Sequence, residues 1–104
     1  MSIIVQIVLT STWPFNKGEE VQKRYLEIQQ EKGQSSAIKS IKYYYSPCKK
    51  GMKCRAYHEV EQGNLEEAML FLVDFMTGFF VIDGYGYKID MAASGEEMLA
   101  AQTS

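Results

Sequence analysis

Several things are scarce in this sequence. Its 104 residues include two prolines, two cysteines, one histidine and one tryptophan. Few prolines and eight glycines exclude a collagen-like or low-complexity chain. Long apolar runs are also missing. The most apolar window, residues 68–82, is 15 residues long and is broken by Asp74 and Gly78. A membrane-spanning helix needs roughly 18 clean apolar residues. The first residues lack a basic flank and no small-residue cleavage site follows them, so no secretory signal is expected. These absences predict a cytoplasmic, soluble chain with no membrane partner. Charge of one sign is not in excess either. The net charge is −2, and no global field draws the chain to nucleic acid or to an anionic membrane. A hydrophobic content of 46% excludes intrinsic disorder. With no repeat and no linker, residues 1–104 read as a single domain.

Charge is spread unevenly. Residues 1–55 hold ten of the eleven Lys/Arg and four acids; residues 56–104 hold Lys88 and nine acids. Either the two halves interleave and the field cancels, or a bipolar surface helps two copies associate.

The apolar pattern orders the chain. Residues 3–10 are β-branched on both alternating faces and predict a strand covered on both sides, ended before Pro14. Asn16 and Glu19 form a capping pair for a helix over 17–32, closed by Gly33. Residues 38–45 predict a second strand. Residues 52–61 predict a third, with Met52/Cys54/Ala56/His58/Val60 facing one way and Lys53/Arg55/Tyr57/Glu59/Glu61 the other. Residues 46–51 carry the turn chemistry of a hairpin between them. Asn64 and Glu67 form a second capping pair for a helix that is apolar nearly all round, through Phe79. A last strand follows from Tyr85; a hairpin around Asp83-Gly84 is the alternative for residues 79–90. Ser94 predicts a short terminal helix near Glu96-Glu97. One subunit has few layers with which to cover the second helix. That predicts a homodimer or higher oligomer.

The order β-α-β-β-α-β is the α+β, ferredoxin-like split-βαβ arrangement: an antiparallel sheet with helices on one face. Strands apolar on both faces call for a second sheet on the other face. Here the chain resembles the dimeric α+β barrel proteins, and is most similar to their small uncharacterised members. The likeness is carried by Tyr57-His58-Glu59-Val60-Glu61 running into Asn64-Leu65-Glu66-Glu67-Ala68, and by Gly86-Tyr87-Lys88-Ile89-Asp90 followed by Gly95-Glu96-Glu97-Met98. The resemblance implies two subunits pressing their sheets together. The superfamily holds cofactor-free monooxygenases, haem-degrading and dechlorinating enzymes, lactone isomerases and stress proteins, so fold implies little about reaction. No enzymatic branch's motif is matched, and no catalytic residue is carried over.

The candidate chemistry centres on His58, the one side chain whose ordinary titration lies near neutrality. A hairpin loop at Cys48–Gly51 pairs Ile41 with His58, Tyr43 with Ala56 and Tyr45 with Cys54. Tyr43, Tyr45, Cys54 and His58 then share a face that could take an aromatic or carbonyl ligand, with His58 as the candidate catalytic proton shuttle. The plainer alternative is a core or rim histidine bonded to a tyrosine. Trp13, with Pro14 and Phe15, either lines a pocket at the end of the first strand or plugs the core. No metal is expected, because Cys54 and His58 sit about 13 Å apart along a strand. The four-residue loop also keeps Cys48 and Cys54 from bridging. Gly84-Tyr85-Gly86-Tyr87 lacks phosphate-loop spacing, and no cofactor is expected.

Lys49, Lys50, Lys53 and Arg55 with Tyr43, Tyr44, Tyr45 and Tyr57 form a basic, aromatic platform like that of the RNA-recognition fold. Met52 and Cys54 stand where stacking aromatics belong, and the first strand lacks its own. That speaks against nucleic acid as the partner. Three readings result: a homodimeric barrel binding a small ligand between sheet and helices, a cofactor-independent monooxygenase or isomerase using His58, and an RNA-binding module.

Overall fold

The computed structural model describes residues 4–93. Its order is β1 (Ile4–Trp13), α1 (Gly18–Lys32), β2 (Ile38–Cys48), β3 (Gly51–Glu61), α2 (Leu65–Thr77) and β4 (Gly86–Ala92). The four strands form one antiparallel sheet in the order β2-β3-β1-β4. This is the ferredoxin-like βαββαβ order. The terminal helix expected near Glu96 lies outside the described residues.

β1 runs three residues further than the pattern predicts. Ser11, Thr12 and Trp13 stay in the ladder opposite Cys54, Lys53 and Met52. Pro14 is the first residue without an N–H to give, and the strand ends there. The hairpin register is as expected: Ile41 opposite His58, Tyr43 opposite Ala56, Tyr45 opposite Cys54. The ladder continues to Cys48 opposite Gly51, so the loop shrinks to Lys49-Lys50. Cys48 and Cys54 are free thiols.

Both capping pairs are corrected. Asn16 is absorbed into a 3-10 turn over Phe15–Lys17, and Lys17 takes the cap position of α1 with no side-chain bond. Asn64 heads α2 but makes no side-chain cap. A 3-10 turn delivers the chain into each helix, leaving no extended cap residue whose oxygen can reach back. Gly33 closes α1 as expected, at φ +68°, giving its N–H to the Gln29 carbonyl. Beyond Thr77 the chain makes successive tight turns through Gly84. The alternative hairpin over 79–90 is not formed.

Both helices pack on one face of the sheet. Ile7, Leu9 and Trp13 of β1 and Cys54, Ala56 and Val60 of β3 meet Val21 and Ile28 of α1 and Ala68, Leu72 and Met76 of α2 in one core. Arg24 Nε donates to the Gly78 carbonyl at 2.7 Å, and Lys32 meets Asp74 at 2.7 Å, so the helices run antiparallel. α2 leaves some of its apolar residues uncovered, beside Glu66, Glu67 and Asp74. Leu70 and Val73 on its outside are exposed, as are Phe80 and Val81 just beyond it.

The other face of the sheet corrects the expectation of a two-sided apolar layer. Gln6, Thr10, Lys42, Lys53, Arg55, Glu59, Lys88 and Asp90 alternate there with Val8, Tyr44 and Tyr57. That composition tolerates water. The sheet is open, and among the described residues the strands close no barrel. Among the described residues, no helix is long and apolar enough to cross a membrane.

Candidate functional site

The sheet places candidate groups on both faces. On the helix side, register brings Tyr43, Tyr45, Cys54 and His58 together. His58 is only 4% exposed. Its Nδ1 lies 3.1 Å from the Ile7 carbonyl oxygen, which can only accept, so Nδ1 carries the proton. Burial holds the imidazole below its ordinary pKa of 6.5, against the pull of the Ile7 and Ala56 carbonyls. The bonding partner is therefore backbone, not the tyrosine of the plainer sequence reading.

The Tyr25 and Tyr43 hydroxyls meet at 3.1 Å, and burial with this bond raises the Tyr43 pKa. Tyr43 and Tyr45 stack with centroids 6.5 Å apart. Burial raises Cys54, while a hydrogen bond with Tyr45 pulls the other way. A thiol so placed is protonated at neutral pH and a poor nucleophile. Tyr85 is pushed up to about 12 by burial, its hydroxyl tied to Ser11.

Trp13 stands at the Cys54 end of this cluster, two residues beyond Ser11, which lies opposite Cys54, and far from His58. It lies opposite Met52, six residues along β1 from Ile7 and hence roughly 20 Å from His58. Its ring stacks on Tyr85 at 6.0 Å, and Tyr85 stacks on Phe79 at 4.6 Å. The three rings seal the end of the core. Among the described residues, no group of three or more His, Cys, Asp or Glu gathers to hold a metal.

The buried histidine has a pH consequence. The unfolded chain takes up a proton near 6.5, and the folded chain resists it until lower pH. Acid therefore favours unfolding below about pH 6.5, by at most about 1.4 kcal/mol per pH unit. Urea melts across pH 7.5 to 5 should show this slope, and His58→Gln should flatten it. An unchanged slope in that variant would assign the dependence to other groups.

The open face carries the concavity. A wide depression of about 670 Å³ is lined by Gln6, Ser40, Lys42, Tyr44, Tyr45, Ser46, Arg55, Tyr57 and Glu59. At its centre, Lys42 lies opposite Tyr57 and Tyr44 opposite Arg55. Cations and aromatics thus alternate like a chequerboard. Tyr44 and Tyr57 touch edge to face, centroids 5.5 Å apart and planes at 87°. Among the described residues, neither Lys42 nor Arg55 has a carboxylate within ion-pair distance. Guanidinium and ammonium groups beside exposed rings can hold an anion and stack a planar group together.

Sequence reasoning grouped Tyr43, Tyr44 and Tyr45 in one platform; the pleat puts Tyr44 alone on the open face. It missed Lys42, Gln6 and Glu59. The signal was present, since strict alternation along 40–46 and 53–59 sorts these residues. Met52 and Cys54, the misfits to the RNA-binding signature, face the helices, so that signature is out of register with the exposed face.

No family model matches the chain, and no curated protein does. Among solved structures, the chain is similar to one described as "De novo designed protein Foldit4", at 10% identity, with a TM-score of 0.54, over 88% of this chain and 97% of that one. That likeness shows the fold alone: an α+β domain with a four-stranded antiparallel sheet and two helices.

Proposed function

We propose that the protein is a binding domain that holds a small, planar, anionic ligand on the open face of its sheet. The observation that carries this is the pairing of Lys42 with Tyr57 and Arg55 with Tyr44 at the centre of the open concavity. An aromatic ring packs against the exposed face of Tyr44, and its carboxylate or phosphate takes the two unpaired cations. The ligand site expected between sheet and helices thus moves to the opposite face. His58, with its ring inside the core, has no part in it. The expected homodimer remains part of this reading, supported by the exposed Ile41, Tyr43 and Tyr45 on the edge strand β2.

One observation favours a second reading, single-stranded RNA. Lys53 continues the cationic line on the same face toward the hairpin tip at Lys49 and Lys50. A uridine nucleotide presents the same ring and anion whether free or within a strand, so length separates the two. The test is titration with an aromatic carboxylate, uridine monophosphate and a short oligouridylate, followed by tyrosine fluorescence or amide shifts. The small-ligand reading expects saturation by a monomeric probe below about 1 mM. Tyr44→Ala and Arg55→Ala should each weaken it about tenfold, and His58→Gln should leave it within about twofold. Oligouridylate binding about a hundredfold tighter, with a steep salt dependence, would favour RNA. Failure of all three probes would overturn both.

A further inference from the structure

Strand β2 is an outer strand, and residues on both of its faces remain exposed. Ile41, Tyr43, Tyr44 and Tyr45 are 37%, 42%, 57% and 63% exposed. An edge strand of eleven residues, with Ile41 and three tyrosines at its centre, offers a template for pairing with another chain.

Pro47 reveals which backbone groups face outward. It sits in the ladder opposite Met52 but has no N–H to give β3. In an antiparallel pair, residues alternate between those that bond the partner strand and those that point away. Register is unbroken from Ser40 to Cys48. Ile41, Tyr43 and Tyr45 therefore share Pro47's orientation, and their N–H and C=O groups point off the sheet. The regular edge is bounded on one side by the irregularity between Ile38 and Ser40, and on the other by Pro47. Tyr43 is its midpoint.

We propose that a second copy of this chain adds along β2, antiparallel, with the two-fold axis at Tyr43. The two sheets then run on as one sheet of eight strands. In this register Tyr43 faces its own counterpart, Ile41 faces Tyr45, Lys42 faces Tyr44 and Ser40 faces Ser46. Every outward donor from Ile41 to Tyr45 meets an outward acceptor. The side-chain pairs are aromatic with β-branched and cation with aromatic, which are favourable across strands. Neighbouring registers are worse. An axis at Lys42 opposes two lysines, and an axis at Tyr44 sets the Ile41 carbonyl against a proline with no N–H. The edge is thus self-complementary, as a two-fold interface requires. It also carries the open-face concavity across the axis, since each Lys42 gains a second tyrosine. The inference rests on the sheet edge and stands whether or not a ligand binds.

The experiment is sedimentation equilibrium on the full chain from about 1 to about 200 μM, a span that covers weak and tight dimers. A dimer is expected. Tyr43→Pro removes the central outward N–H from each copy while leaving the β3 ladder intact. It should raise the dissociation constant about tenfold or more with unchanged circular dichroism. Tyr43→Ala, which keeps the N–H, should do less. Should Tyr43→Pro misfold, cross-linking decides. In a Cys48→Ser, Cys54→Ala background, Tyr43→Cys sets two thiols opposite each other at a Cα separation of about 5.5 Å, within disulfide reach. Mild oxidation should give a covalent dimer. Val73→Cys, on the outside of α2, should not. A monomer across the whole range, or cross-linking through Val73→Cys and not Tyr43→Cys, overturns the proposal.

Discussion

Gly51→Ala is expected to lower stability by about 3 to 5 kcal/mol, a large share of what a domain this size possesses. Gly51 opens β3 at φ +143°, a conformation that L side chains rarely adopt. A methyl there would overlap the Trp13 carbonyl oxygen and lie 2.7 Å from the Phe15 nitrogen and 2.8 Å from the Pro14 Cα. These are backbone atoms and have no rotamer to change. Trp13 is held in the ladder opposite Met52, and Pro14 accepts the Lys17 N–H at 2.9 Å. Relief would require the ends of β1 and β3 to part, disturbing the Trp13–Tyr85–Phe79 stack. Gly63→Ala is the control, because nothing lies within 4 Å of its added carbon. It should be neutral or stabilise by a few tenths of a kcal/mol. Urea melts of both variants measure the contrast. A loss below about 1 kcal/mol in Gly51→Ala would mean that the strand ends give way easily.

The fold was legible where periodicity and turn chemistry agreed. The β2–β3 register followed from one loop and strict alternation over 52–61, and the structure keeps all three expected pairs. The end of β1 was not, because Ser11 and Thr12 are polar and resemble a loop. They stay in the strand because Thr12 faces the open side while Ser11, facing the core, is tied to Tyr85. The caps misled because Asn16 and Asn64 have the right chemistry in the wrong conformation. Whether a helix begins directly or through a 3-10 turn depends on how the preceding strand end packs. A two-residue pattern does not encode that.

The candidate site was half legible. A period of two shows which residues share a face but not which face the helices cover. The cluster of Tyr43, Tyr45, Cys54 and His58 was assembled correctly, yet its deep member is in the core, and Trp13 stands beyond its Cys54 end, away from His58. The chequerboard of Lys42, Tyr44, Arg55 and Tyr57 needed two strands in register and knowledge that their shared side is open. The reading of β1 as apolar on both faces hid this. Gln6 and Thr10 make that side wet, and it becomes an exposed binding face in place of a second core.

Ile28→Ala should cost about 2 to 5 kcal/mol, and its interaction with Gly78 should reverse the sign of a second substitution. Ile28 is 1% exposed and projects from α1 onto the backbone just past α2. A Cβ at Gly78 would lie 2.5 Å from Ile28 Cδ1 and 2.8 Å from Cγ1. The Arg24 bond to the Gly78 carbonyl holds the two segments at that spacing. In the native background, Gly78→Ala therefore overpacks the contact, at an expected cost of about 1 to 3 kcal/mol. Gly78 itself has ordinary helical angles, φ −65° and ψ −16°, so alanine suffers no backbone strain there. With Ile28→Ala already present, the clash is gone and the new methyl enters the space left behind. The unfolded chain also loses glycine's freedom. Gly78→Ala should then stabilise by about 0.5 to 1 kcal/mol. A four-member cycle of urea melts reads this as a coupling well above the roughly 0.5 kcal/mol scatter of independent sites. Additive costs would show that the helices rest on other contacts and that α1 slides past Gly78 without resistance.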